Sequence, residues 1–60
     1  MATDWIEVAD VEVRRVEMGG VAFDNEPIVQ IADGGDFVQV KVADLPALIR
    51  QLQMFEAVQS

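Results

Sequence analysis

The clearest structural unit of this 60-residue chain is residues 27–42, PIVQIADGGDFVQVKV. Two β-rich runs flank the turn Asp33-Gly34-Gly35-Asp36, and glycines at both central positions supply the positive φ that two-residue hairpin turns require. Pairing the two aspartates makes one face of the hairpin wholly apolar. The pairs on that face are Ile31 with Val38, Val29 with Val40, and Pro27 with Val42.

The second face of the same hairpin is mixed. Its pairs are Ala32 with Phe37, Gln30 with Gln39, and Ile28 with Lys41. A surface of amides and large apolar side chains suits solvent or a partner. We therefore predict a partner-binding sheet face made of Ile28, Gln30, Phe37 and Gln39.

The stretch before this hairpin predicts two more strands. Gly19-Gly20 indicates a second hairpin, which would join a strand over about 5–18 to a strand over about 21–32. Val11 and Val16 have opposite parity, and a β-bulge near Arg14-Arg15 would turn both toward one side. Residues 4–13 also fit helical spacing, but their β-branched residues favour a strand.

The C-terminal segment predicts a helix over about 45–58. Asp44 is a good N-cap, Pro46 falls in the first turn, and no later Gly or Pro interrupts the segment. An apolar stripe at i, i+3, i+4 and i+7 spacing would cover the sheet; it consists of Leu45, Leu48, Ile49, Leu52 and Phe55. The predicted fold class is α+β: a three- to four-stranded antiparallel β-meander (strands about 5–18, 21–32 and 36–42) packed on this helix.

The opposite side of the helix is also poor in charge. Ala47, Gln51, Met54 and Val58 lie where a monomer would normally carry charged residues. Isolated exposed apolar residues are common and need no special role. The alternative is a partner-binding helix face, for which the flexible Met side chain is well suited.

The composition lacks several of the residue types that catalyse reactions in enzymes. The chain has no His and no Cys, and its hydroxyl side chains are Thr3 and Ser60. Nucleophilic catalysis and an ordinary zinc site are therefore not expected. Carboxylates alone leave room for acid–base chemistry, but 60 residues leave little room for a pocket. We expect a protein that is not an enzyme, with no catalytic residues, no metal and no cofactor.

The length predicts a single small domain over residues 1–60 with a marginal core, for which oligomerisation is the remaining support. We therefore expect a homodimer.

No segment resembles a signal peptide or a membrane span, which predicts a cytoplasmic protein. Eleven acids against four bases give a net charge of −7, which opposes direct binding to nucleic acid or to a membrane.

The acids are concentrated near the N-terminus, in Asp4, Glu7, Asp10 and Glu12. They predict a solvated surface or, alternatively, one that mimics a nucleic acid toward a basic partner protein. Trp5, beside them, is expected to be a core or interface anchor.

In size, acidity and strand–helix pattern, though in no motif, the chain resembles small accessory proteins of bacteria and phages, some of which inhibit host defence or regulatory complexes. These features predict a protein–protein interaction module that inhibits or regulates a larger bacterial complex. The alternatives are a structural subunit, whose charge serves solubility only, and, less favoured, a carboxylate enzyme or ligand binder.

Overall fold

The computed structural model describes residues 2–59 and has an α+β architecture. Four strands form one antiparallel sheet in the order β1-β2-β3-β4, and a single C-terminal helix follows. The elements are β1 (Ile6–Val8), β2 (Val11–Val16), β3 (Ile28–Asp33), β4 (Asp36–Lys41) and α1 (Leu45–Gln59). Two 3-10 turns lie at Val21–Phe23 and Val42–Asp44. The predicted fold class, an antiparallel meander with one C-terminal helix, is confirmed.

The β3–β4 hairpin has the predicted register. Asp33 pairs with Asp36 across the glycine turn, and the ladder continues to Ile28 and Lys41. Beyond this last pair, the Val42 N–H donates a hydrogen bond to the Pro27 carbonyl at 3.0 Å. The predicted register is therefore confirmed, but the expected positive φ is present at Gly34 (65°) and not at Gly35.

The single strand predicted over residues 5–18 is instead two strands. A turn at Ala9 and Asp10 reverses the chain, so that Ile6 pairs with Val13 and Val8 with Val11. Ala9 has a φ of 56°, a value that residues other than Gly rarely adopt. The helical alternative for residues 4–13 is wrong.

The β-bulge predicted at Arg14-Arg15 is wrong as well. Strand β2 pairs with β3 without interruption from Glu12 to Val16, so Val16 lies on the opposite face from Val13. The irregularity is in the segment alongside: the register shifts by one residue between the Ile6–Val13 pair and the isolated bridge of Ala2 with Val16.

The hairpin predicted at Gly19-Gly20 is also absent, and strand β3 begins only at Ile28. The chain between β2 and β3 is a compact loop. The Gly19 N–H donates to the Glu26 carbonyl at 3.0 Å, and the Asn25 N–H donates to the Gly20 carbonyl at 2.9 Å. Backbone hydrogen bonds within the loop thus replace the sheet ladder that the pattern predicted.

Beneath this loop lies the side chain of Ile28, which is 1% exposed and is the most deeply buried among residues 2–58. Gly19 packs so closely on it that an added Cβ would lie 2.7 Å from the Ile28 side chain. Lys41 pairs with the loop carboxylates of Asp24, at 3.4 Å, and Glu26, at 3.8 Å. The small core is therefore on the mixed face of the sheet.

Helix α1 begins at Leu45 as predicted, but its stripe does not cover the sheet. The helix contacts mainly the 3-10 turn that precedes it, and Ile49, Leu52 and Phe55 are 51%, 57% and 58% exposed. Leu45 and Leu48, in its first turn, are partly buried. The radius of gyration is 12.7 Å, against about 10.4 Å for a compact chain of this length, because the helix extends away from the sheet.

Candidate protein-binding surface

The mixed face of the sheet brings together residues that are distant in sequence. Strand register places Arg14 beside Gln30, which lies beside Gln39, in one row across three strands. The neighbouring row consists of Glu12, Ala32 and Phe37. Because directly paired residues share a face, all these side chains project to the same side of the sheet.

Arg14 is held in place on this face by two contacts. Its guanidinium carbon lies 4.5 Å from the centroid of the Trp5 ring, a cation–π geometry. Its Nε–H donates a hydrogen bond to Oε1 of Gln30. The stacked ring and the amide together fix the guanidinium before any partner arrives.

Between these side chains lies a shallow apolar depression of about 140 Å³. It is lined by Trp5, Arg14, Gln30, Ala32 and Phe37. Pockets for small-molecule ligands usually have volumes of roughly 300–1,000 Å³, so this depression suits a single inserted side chain better than a ligand. Trp5 and Phe37 are 40% and 59% exposed at its rim.

Acidic side chains border the depression. Glu7 and Glu12 are directly paired across β1 and β2 and lie on the same face as Phe37. Asp4 and Asp10 lie just before β1 and in the β1–β2 turn. All four predicted acids are exposed, and they lie along the β1 edge of the sheet, from the segment before β1 to the start of β2.

Three of the four residues predicted for the sheet face do lie on this surface: Gln30, Phe37 and Gln39. Ile28 is a correction, because its side chain is buried under the Gly19 loop and cannot contact a partner. Sequence reasoning did not include Arg14, whose place depends on the pairing of β2 with β3 across a long loop. A signal was present, since Arg14 has the same parity as Glu12 within one strand.

The predicted helix face is a separate surface. Ala47, Gln51, Met54 and Val58 are all exposed along α1, as a contact surface requires. Whether they bind a partner stays a prediction.

Other kinds of site find little support in residues 2–59. That part of the chain contains no group of three or more acidic side chains placed to hold a metal ion. None of its helices is long and apolar enough to cross a membrane. No protein-family model, curated protein or solved structure gives a significant match to this chain.

Proposed function

We propose that this chain is a non-enzymatic protein–protein interaction module of the cytoplasm, which inhibits or regulates a larger complex. The observation that supports the proposal is the exposed cluster of Trp5, Arg14 and Phe37 around the depression on the mixed face. Trp and Arg are among the residue types that contribute most binding energy in protein interfaces. The partner inserts one apolar side chain between the two aromatic rings.

The order within this cluster favours binding. When a partner binds a flexible surface, the side chains of that surface lose conformational entropy, which costs roughly 0.5–1.5 kcal/mol for each long side chain that becomes fixed. Arg14 is already held by Trp5 and Gln30, so much of that cost is met on folding. The cluster can thus act as a rigid anchor at the centre of a contact surface.

The charges beside the anchor define the partner more closely. Glu7 and Glu12 flank the depression, and the whole chain carries a net charge of −7. A basic partner surface, such as one that normally binds nucleic acid, would be attracted over a distance and would associate faster at low salt. In this form of the proposal the protein acts as a nucleic-acid mimic.

Affinity capture from native lysate, read by mass spectrometry, tests the proposal. Phe37→Ser removes one wall of the depression and is expected to weaken capture of the specific partner by roughly 30-fold. Val21→Ser is the matched control, because Val21 is 88% exposed in the loop, away from the depression. Equal capture by the two variants would exclude the mixed face as the binding surface.

The charge component is tested separately with the double variant Glu7→Gln, Glu12→Gln, which keeps side-chain size and removes two charges. We expect slower association with the captured partner at low salt and little difference at high salt. Capture that is unaffected by salt and by these substitutions would contradict mimicry while leaving the apolar anchor in place.

A structural subunit of a larger assembly is the second candidate. It is favoured by surface area: the chain exposes 4848 Å², against about 3,900 Å² for a compact monomer of its mass. Such a subunit would aggregate or unfold when produced alone at micromolar concentration. A folded and soluble isolated protein would favour the regulatory module.

A further inference from the structure

Two apolar surfaces, one on the sheet and one on the helix, are left uncovered by residues 2–59. The first, here called the apolar face, is the side of the sheet on which strand register places Ile6, Val8, Val11, Val13, Val29, Ile31, Val38 and Val40. The charged strand residues of β1–β4 on this side are Arg15, which pairs with Val29 and forms an ion pair with Glu17, and the turn aspartates Asp33 and Asp36. Ile6 and Val38 are 63% and 59% exposed. The second is the exposed part of the helix stripe, which consists of Ile49, Leu52 and Phe55. Exposed apolar surface of this extent is typical of an interface.

The connection between sheet and helix keeps the two surfaces apart within one chain. Strand β4 ends at Lys41, the 3-10 turn of Val42–Asp44 follows at once, and α1 starts at Leu45. Leu45, which caps the 3-10 turn, already has helical φ and ψ, so no loop residue intervenes. No glycine follows Gly35 to ease a reversal. The junction therefore directs the helix away from its own sheet.

The area left exposed matches what a stable dimer buries. A compact monomer of this mass would expose roughly 950 Å² less than the 4848 Å² observed. A standard protein–protein interface buries about 800 Å² on each partner. One interface per chain would thus bring the exposed area to the usual value.

We propose that this interface is formed with a second copy of the chain, in which the helix stripe of each protomer packs on the apolar face of the other. Helix α1 has 15 residues and is about 22 Å long, enough to cross four strands that lie about 4.8 Å apart. Each chain offers one stripe and one face, so a two-fold axis satisfies both surfaces at once. The inference extends the proposed interaction function to a second surface, and the mixed face stays free for the regulatory partner.

Mass measurement by light scattering is the first test. The natural chain is expected at twice its 6.6 kDa mass. Leu52→Glu places a charge in the stripe and should weaken dimerisation by roughly 100-fold or more. Gln53→Glu is the matched control: it adds the same charge one residue along, outside the stripe, and should leave the dimer intact. A folded natural chain that stays monomeric at micromolar concentration would overturn the proposal.

Thiol cross-linking tests whether the helix of one copy packs on the sheet of the other. The natural chain has no cysteine, so only the introduced thiols can react. Leu52→Cys and Val38→Cys variants are refolded together and treated with a short bis-maleimide. The expected product is a dimer that links Cys on the helix of one copy to Cys on the sheet of the other. Links between two helices, or between two β4 strands, would show a different interface and contradict the inference.

The double variant, Leu52→Cys with Val38→Cys in one chain, addresses closure within a monomer. A link inside a single chain at high dilution would show that the helix folds back on its own sheet, which would also overturn the proposal. None of these measurements uses the regulatory partner. Loss of capture by Phe37→Ser with an intact dimer, or the reverse result, therefore separates the two proposals.

Discussion

At the scale of single residues, Gly19 is the glycine with the least room for a side chain. An added Cβ would lie 2.7 Å from Cγ2 of Ile28 and 2.8 Å from the backbone carbonyl oxygen of Glu26. The backbone contact cannot be relieved by rotating a side chain. We predict that Gly19→Ala lowers the free energy of unfolding by about 1–3 kcal/mol, as overpacking of a core does, measured by urea denaturation.

Gly35→Ala is the control for this prediction. Gly35 has open space around its Cα and a φ that is not positive. Alanine there restricts the unfolded chain and should leave stability unchanged or raise it by up to about 1 kcal/mol. Equal losses in the two variants would show that the Gly19 contact with Ile28 is not the cause.

At the scale of the elements, the two hairpin turns differ in how well their residues suit a left-handed backbone conformation. Ala9, in the β1–β2 turn, adopts a φ of 56°, whereas the β3–β4 turn has Gly34 at 65°. A left-handed conformation costs a residue with a Cβ roughly 1–2 kcal/mol. We therefore predict that Gly34→Ala lowers stability by about 1 kcal/mol, whereas Ala9→Gly raises it by a few tenths.

Thermal unfolding at one protein concentration compares these two variants. No heavy atom outside the adjacent residues lies within 4 Å of a Cβ built at Gly34, so crowding does not contribute to its effect. Changes of the same sign in both variants would contradict the conformational explanation of the two turns.

The same comparison shows how far local pattern can predict this fold. The β3–β4 hairpin and the start of α1 were predicted because their signals, a glycine turn and a proline in the first helical turn, act within a few residues. The Ala9 turn was missed because neither of its central residues, Ala9 and Asp10, is a glycine. Gly19-Gly20 was misread as a tight hairpin turn: Gly19 packs closely on Ile28, nine residues away in the chain, and Gly20 takes a φ of 89° within the loop.

The candidate binding surface shows the same division. Gln30, Phe37 and Gln39 were placed correctly because one hairpin holds all three. Arg14 and Trp5 join them through the pairing of β2 with β3 and through the irregular segment opposite Arg14. Nonlocal pairings of this kind depend on loop closure and side-chain packing, which have no short sequence signal.

At the scale of the whole molecule, charge and apolar surface act in opposite directions. Two copies that each carry a net charge of −7 repel one another, while the proposed interface between them is apolar. Salt screens the repulsion and leaves apolar burial in place. We predict that raising the NaCl concentration tightens the dimer, measured by sedimentation or by light scattering on dilution.

Capture of a basic partner should show the reverse dependence and weaken as salt rises. The two surfaces can therefore be distinguished in one salt series. A dimer that dissociates at high salt would indicate an interface of ion pairs and would contradict the apolar arrangement.

The local units follow from the amino-acid sequence alone: an antiparallel hairpin with one apolar face, a C-terminal helix with an apolar stripe, and an acidic N-terminal segment. The arrangement of these units relative to one another depends on contacts between distant residues. The loop around Gly19 covers Ile28, so the small core lies on the mixed face of the sheet. The 3-10 turn of Val42–Asp44 joins β4 directly to α1 and directs the helix away from the sheet. Periodicity specifies which side of an element is apolar, but the geometry of the connections decides which surface, in this chain or a second one, will cover it.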